Sequence, residues 1–123
     1  VYLSRMCQMR YEFKDYFNYG KMLRPPKTKD FIPTFVTDSA ISFSDVNEAP
    51  LILSSCWEND GSIAMLITNC DKKEYTLSYD APFDSYDEIR YYGQGKVSPV
   101  ANSKINITIS PESAIAIIKK AKE

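Results

Sequence analysis

Histidine is absent from all 123 residues, which removes the commonest general base, the Ser-His and Cys-His nucleophile pairs and most transition-metal sites. Any bond-breaking chemistry would have to rest on carboxylates. Cysteine is scarce and odd in number. Cys7, Cys56 and Cys70 show no C-x-x-C spacing and fit neither a disulfide framework nor a zinc knuckle. Only four glycines occur, and Gly93-x-Gly95 lacks the further glycine and the helix of a phosphate loop. No basic block exists either: 15 Lys and Arg face 16 Asp and Glu, so nothing would neutralise a row of phosphates and nucleic-acid binding is excluded. No apolar run approaches the ~18 residues of a membrane span, and no charged-apolar-small leader opens the chain.

What is present is enough for one folded unit. Hydrophobic residues make up 44% and charged residues 25% of the chain, which argues against disorder and supports a single core. The chain opens at Val1 inside a helical pattern, as expected of a piece trimmed from a longer polypeptide.

Tyr2, Leu3, Met6, Met9, Phe13, Tyr16 and Phe17 recur at steps of three and four, predicting one amphipathic helix over 2–19. Gly20 is expected to end it in a left-handed conformation. Pro25-Pro26 forbids continuation, so 21–29 reads as a stiff connector. After Lys29 the period drops to two. Residues 31–37, 51–58, 63–70, 74–80, 86–92, 104–110 and 113–119 read as strands, with 96–100 as an eighth. Short strands without intervening helices predict a mainly β chain: an antiparallel sandwich of seven or eight strands with one N-terminal α-helix. The organisation follows as helix and connector over 1–29 and sandwich over 30–123, forming one structural unit.

Two strands have one wet face: Tyr75, Leu77 and Tyr79 alternate with polar residues, as do Ile105, Ile107 and Ile109. The 51–70 hairpin differs. One face carries Leu51, Leu53, Trp57, Ala64 and Leu66, the other Ile52, Cys56, Ile63, Met65 and Ile67. One can pack on an opposing sheet; the other needs the leading helix, a loop or a further surface. Asp60-Gly61 should form the hairpin tip. Cys56 then faces Met65 and Cys70 faces Leu51, placing the two thiols about 17 Å apart at ~3.3 Å per residue, beyond disulfide reach. Buried free thiols are expected.

Candidate chemistry is thin. Asp80, Asp84, Asp87 and Glu88 cluster loosely around Pro82 and Tyr86. A glycosidase needs two opposed carboxylates and calcium several oxygen ligands, but the D-x-D-x-D-G order is missing. A stand-alone enzyme would have to use Asp84, Asp87 or Glu88; turn-forming aspartates in a solvated loop are the simpler reading. Among the aromatics, Tyr75 and Tyr79 belong to the core face. Tyr91 and Tyr92, just before Gly93-Gln94-Gly95, could contact a sugar, one ring buried and one exposed. A carbohydrate-binding module built on them is the alternative function. An immunoglobulin-type adhesion domain is disfavoured by the leading helix and its Pro-Pro connector.

The order of features, with Arg10, Tyr11, Phe17, Gly20-Lys21-Met22-Leu23-Arg24-Pro25-Pro26, then Leu53-Ser54-Ser55-Cys56-Trp57, Gly61 and Leu66-Ile67-Thr68-Asn69, resembles the tail of large bacterial glycoside hydrolases. These are similar to α-galactosidases and to a group of uncharacterised barrel glycosidases. The resemblance implies a C-terminal antiparallel β-sandwich following a (β/α)₈ catalytic barrel, with the helix as last barrel helix or link. It implies no catalytic residue and no cofactor or metal here, because the acid and nucleophile carboxylates of such enzymes belong to the barrel. On this view Leu3, Met6, Met9, Phe13 and Phe17 are interdomain residues facing that barrel. A homodimer through the exposed helix is the other use of such a stripe.

Overall fold

The computed structural model describes residues 2–24, 26, 28, 30, 32, 34–36 and 48–121. Phe31, Pro33 and Thr37 of the expected first strand, Pro25, Lys27 and Lys29 of the connector, and the side chain of Tyr2 lie outside this set.

Two short helices, α1 (Tyr2–Glu12) and α2 (Lys14–Tyr19), precede the strands β1 (Lys21–Leu23), β2 (Thr34–Val36), β3 (Glu48–Pro50), β4 (Ile52–Asn59), β5 (Ser62–Asn69), β6 (Tyr75–Asp80), β7 (Glu88–Tyr92), β8 (Gly95–Val97), β9 (Lys104–Ile109) and β10 (Ser113–Lys119). A five-stranded sheet ordered β1-β4-β5-β10-β7 faces a three-stranded sheet ordered β6-β9-β8, and β2 pairs β3 in a separate ladder. All pairings are antiparallel. The mainly β sandwich with leading helical residues is therefore the observed architecture.

The centre of the large sheet explains the layering. In β10, Ser-Ala-Ile-Ala-Ile-Ile-Lys alternates small and branched residues, so Ile115 and Ile117 point one way and Ala114 and Ala116 the other. Ile115 and Ile117 join Ile52, Cys56, Met65 and Ile67 against Leu77, Tyr79, Ile105, Ile107 and Ile109 of the small sheet. On the opposite face Ala64, Leu66, Ala114, Ala116 and Ile118 receive Met9 and Phe13. Alanines there lower the sheet surface and let the helix come close. The result is three layers: helices, large sheet, small sheet. Both faces of the 51–70 hairpin are thus covered, one by the small sheet and the other in part by the leading helix.

Several expectations need correction. The helix over 2–19 is broken at Phe13, whose φ of −106° and ψ of 20° leave the helical region. Its N–H still donates to the Met9 carbonyl at 2.9 Å while its own carbonyl accepts from Tyr16 and Phe17. Neither Pro nor Gly marks the break; it coincides with insertion of the Phe13 ring into the second core. Gly20 is not left-handed, with φ −84° and ψ 173°. A Cβ there would lie 2.4 Å from the Tyr16 carbonyl oxygen and 2.6 Å from that of Glu58, so the glycine serves close approach of helix end to strand. The connector is also partly a strand: Lys21, Met22 and Leu23 pair with Glu58, Trp57 and Cys56.

Met9 and Phe13 correct the interdomain expectation. Phe13 is only 1% exposed, closed off by this chain's own sheet, and each such side chain contributes roughly 1.5–3 kcal/mol of burial. Met6 and Phe17 are half-buried, and Leu3 is 74% exposed. The stripe is split between a core half and an open half.

Polar contacts lock the helix in place. Arg5 donates to the Glu112 carbonyl at 2.8 Å and to Ser113 Oγ at 3.3 Å. The Glu12 carboxylate accepts from the Tyr92 hydroxyl at 2.9 Å and from Arg90 Nη1 at 3.2 Å. Beside Ser113 in the β5-β10 ladder, the fully buried Asn69 donates through Nδ2 to the carbonyls of Lys73 (2.8 Å), Ser110 (3.2 Å) and Ile109 (3.4 Å). Its Oδ1 accepts from the Asp71 N–H at 2.9 Å.

Candidate functional site

Between α2, which lies over β4, and α1, which lies over β10 and β7, the apolar cover is incomplete. Met6, Met9, Arg10, Phe17 and Trp57 line a cavity of about 430 Å³. Met9 and Phe17 also line a second one of about 290 Å³, shared with Leu53, Leu66 and Thr68. The shared residues make the two halves of one groove. Its wall is the Phe17–Trp57 pair, edge to face with centroids 4.9 Å apart at 83°. Trp57 satisfies its ring N–H internally, donating to Ser55 Oγ at 3.0 Å, so it asks nothing polar of whatever covers it. Met22, opposite Trp57 across the β1-β4 ladder, is 57% exposed and Leu53 is 53% exposed. Large apolar side chains this open, side by side on one face, mark a contact surface.

The register that builds this groove follows from the Asn59-Asp60-Gly61-Ser62 turn. Positive φ at Asp60 (50°) and Gly61 (84°) closes a two-residue hairpin pairing Asn59 with Ser62. That pairing sends Trp57 and Ala64, Ser55 and Leu66, and Leu53 and Thr68 to the helix face together. Cys56 faces Met65, as expected, and the Cys70 N–H donates to the Leu51 carbonyl at 3.0 Å. All three cysteines are free. Cys56 is buried, and its burial pushes the thiol up to about 11. Cys7, expected to be buried, is exposed because it lies on the outer face of α1.

The remaining candidates fall in different places. Tyr91 and Tyr92 do part across the strand. Tyr91 is 43% exposed and Tyr92 is buried in the second core beneath the helix. Tyr92 is therefore withdrawn from any two-ring sugar platform, because its hydroxyl is spent on Glu12 and burial raises its pKa to about 12. Asp80 is paired to Lys104. Asp87 accepts from the Lys120 N–H at 2.8 Å and sits 3.9 Å from Lys119 Nζ. Glu88 accepts from Arg90 at 3.0 Å, and Asp84 is exposed. The structure does not gather the four into one site; among the described residues, no group of three or more Cys, Asp or Glu could hold a metal ion. No helix among them is long and apolar enough to cross a membrane.

Residues that the sequence reading passed over are Glu12, Tyr16, Ser62, Arg90 and Lys120, which line one cleft with Glu88. They come from four separate elements, α1, α2, β5 and β7, and from the residue that follows β10. Only the Glu88-x-Arg90 spacing, which puts opposite charges on one face of a strand, could have flagged them.

No family model matches the sequence, and no curated protein matches it. Among solved structures, the chain is similar to part of the glycoside hydrolase family 30 subfamily 8 xylanase Xyn30A from Clostridium acetobutylicum. The match has a TM-score of 0.44 and 10% identity, and covers 55% of this chain and 20% of the xylanase. It is also similar to part of a GH30 endoxylanase from Clostridium papyrosolvens C71, with a TM-score of 0.45 and 11% identity, over 58% of this chain and 20% of that one. The matched region is thus a fifth of either enzyme's length.

Proposed function

We propose that this chain is a non-catalytic accessory β-sandwich of a carbohydrate-active enzyme, stabilising an upstream catalytic barrel of the α-galactosidase-like kind against which its helix face docks. One observation carries the docking: the open apolar groove of Met6, Phe17, Trp57 and Leu53, continued by Met22 and Leu3. Covering it would add about 25 cal/mol for each Å² of apolar surface removed from water. The carbohydrate-active parent rests on the sequence resemblance alone, in the Gly20 to Pro26 run and the Trp57 to Asn69 hairpin. Those motifs meet at this surface, since Gly20 abuts Glu58 and Met22 pairs Trp57. The non-catalytic role is supported by the carboxylates a stand-alone enzyme would have to use: Asp87 and Glu88 are held by a lysine and an arginine, and Asp84 is exposed.

The test compares the 123-residue chain with its parent polypeptide. Leu53→Lys should lower the melting temperature of the parent while leaving the isolated chain unchanged, and the isolated chain should hydrolyse no glycoside in a broad screen. An unchanged parent, or hydrolysis by the chain alone, would overturn the proposal.

A further inference from the structure

A second cleft, sharing no residue with the apolar groove, opens between the helices and the β7 edge. Its volume is about 480 Å³ and its polar lining is Glu12, Tyr16, Ser62, Glu88, Arg90 and Lys120, within the range of about 300–1,000 Å³ typical of small-molecule sites. Register explains why it is open. Arg90 lies opposite Ala116 and Glu88 opposite Ile118 on the helix face of the sheet, so a short neighbour leaves room above the strand. Phe13 and Ile118 form an apolar floor.

The charged groups are already arranged. Arg90 Nε donates to Glu88 Oε1 at 3.0 Å, and Nη1 donates to Glu12 Oε1 at 3.2 Å. The guanidinium carbon sits 5.4 Å from the Phe13 ring centroid. Nη2 takes part in neither glutamate contact. Lys120 Nζ stands 4.0 Å from Glu88 Oε2. Two carboxylates and two cations leave the cleft without formal charge, and each charge has a partner. An entering anion would compete with Glu12 and Glu88 for Arg90, and an entering cation would compete with Arg90 for the glutamates. A neutral molecule carrying several hydroxyls disturbs neither pair, because each hydroxyl both donates and accepts. The Tyr16 ring, packed against Phe13 at 5.6 Å between centroids, adds an aromatic wall suited to a C–H face.

We infer that this cleft binds a neutral polyhydroxylated ligand, one or two sugar units, with the fixed guanidinium of Arg90 and the carboxylates of Glu12 and Glu88 hydrogen-bonding adjacent hydroxyls. The site binds and does not hydrolyse. Both carboxylates are bound to the one guanidinium of Arg90 and are not opposed across a scissile bond, and the Tyr92 hydroxyl holds the Glu12 carboxyl below its usual range, so Glu12 is not poised to protonate a leaving oxygen. This inference is independent of barrel docking, which uses other residues.

The experiment is a ¹H–¹⁵N NMR titration of the 123-residue chain with xylobiose and with cellobiose, using sulfate and glucuronate as charged controls, at low and high salt. A neutral disaccharide should give saturable shifts at the Arg90 side chain and the Ser62 and Ala121 amides, unchanged by salt. Arg90→Met should weaken binding roughly tenfold or more. Because that substitution also releases Glu12 and could loosen the helix, Ser62→Ala serves as the second variant; weaker sugar binding at an unchanged melting temperature supports the site. Absence of saturable shifts with both disaccharides overturns the inference. So does a stronger, salt-sensitive response to sulfate or glucuronate, or a response centred on Tyr91.

Discussion

The Tyr92 hydroxyl donates to the Glu12 carboxylate across 2.9 Å, joining residues 80 positions apart and fastening the end of α1 to the edge strand β7. The same carboxylate holds Arg90, so one glutamate anchors the helix layer to the sheet at two points. Tyr92→Phe removes the first anchor and keeps the ring. It should cost about 1 kcal/mol in urea unfolding and speed hydrogen exchange in α1 ahead of the strands.

Both partners of that bond titrate, and the signs differ. The Tyr92 hydroxyl holds Glu12 below the ordinary glutamate value, helped by Gln8 and Arg90 and opposed by desolvation. Its contribution is complete above that ordinary value and is lost as pH falls through the lowered folded one. Burial, with Glu12 adding to it, raises Tyr92 to about 12, and burial raises Tyr79 to about 12. For these raised groups stability is fully present below the ordinary tyrosine pKa of about 10 and is lost as pH climbs toward about 12. Circular dichroism against pH should show an alkaline transition in that window, shallower in Tyr92→Phe.

Gly20 separates two explanations of a helix-ending glycine. A left-handed position would tolerate Asn better than Ala. Here φ is ordinary and the obstacle is the pair of carbonyl oxygens from Tyr16 and Glu58. Gly20→Ala and Gly20→Asn should therefore both destabilise by about 1–3 kcal/mol, with no advantage to Asn in thermal melts.

Asn69 supplies both donor protons and an acceptor to the backbone of two turns and one strand end. Asn69→Asp keeps the shape but turns a carboxylate oxygen toward those carbonyls. It should cost more than Asn69→Ala, itself about 2–3 kcal/mol, and the gap should narrow as pH falls and the aspartate takes up a proton.

Along α1 and its end, Phe13→Ala should cost about 3–5 kcal/mol, whereas Leu3→Ala should stay within about 0.5 kcal/mol in the same chain. Cysteine labelling gives an orthogonal check of layering. Iodoacetamide should modify Cys7 first, and Cys56, buried with its thiol raised to about 11, only as the chain unfolds.

Residues whose placement depends on near neighbours in sequence were legible. Asp60-Gly61 set the hairpin, its register placed Cys56 against Met65, and alternation in 75–79 and 105–109 identified the small sheet's inner face. Those patterns report local backbone geometry, and local geometry is written in consecutive residues. The resemblance motifs around Gly20 and Trp57 were legible as motifs, but not as the two sides of one junction.

The sequence by itself determined a histidine-free, mainly β chain with strands bounded by their turns and a greasy leading helix. Only the tertiary structure decided that Phe13 breaks that helix to fill a space left by Ala64, Ala114 and Ala116, that Lys21–Leu23 joins the sheet, and that Glu12, Arg90 and Tyr92 meet. The physical reason is that period and propensity act over a few residues, whereas close approach and ion pairing depend on which distant surfaces the fold brings within a few ångströms.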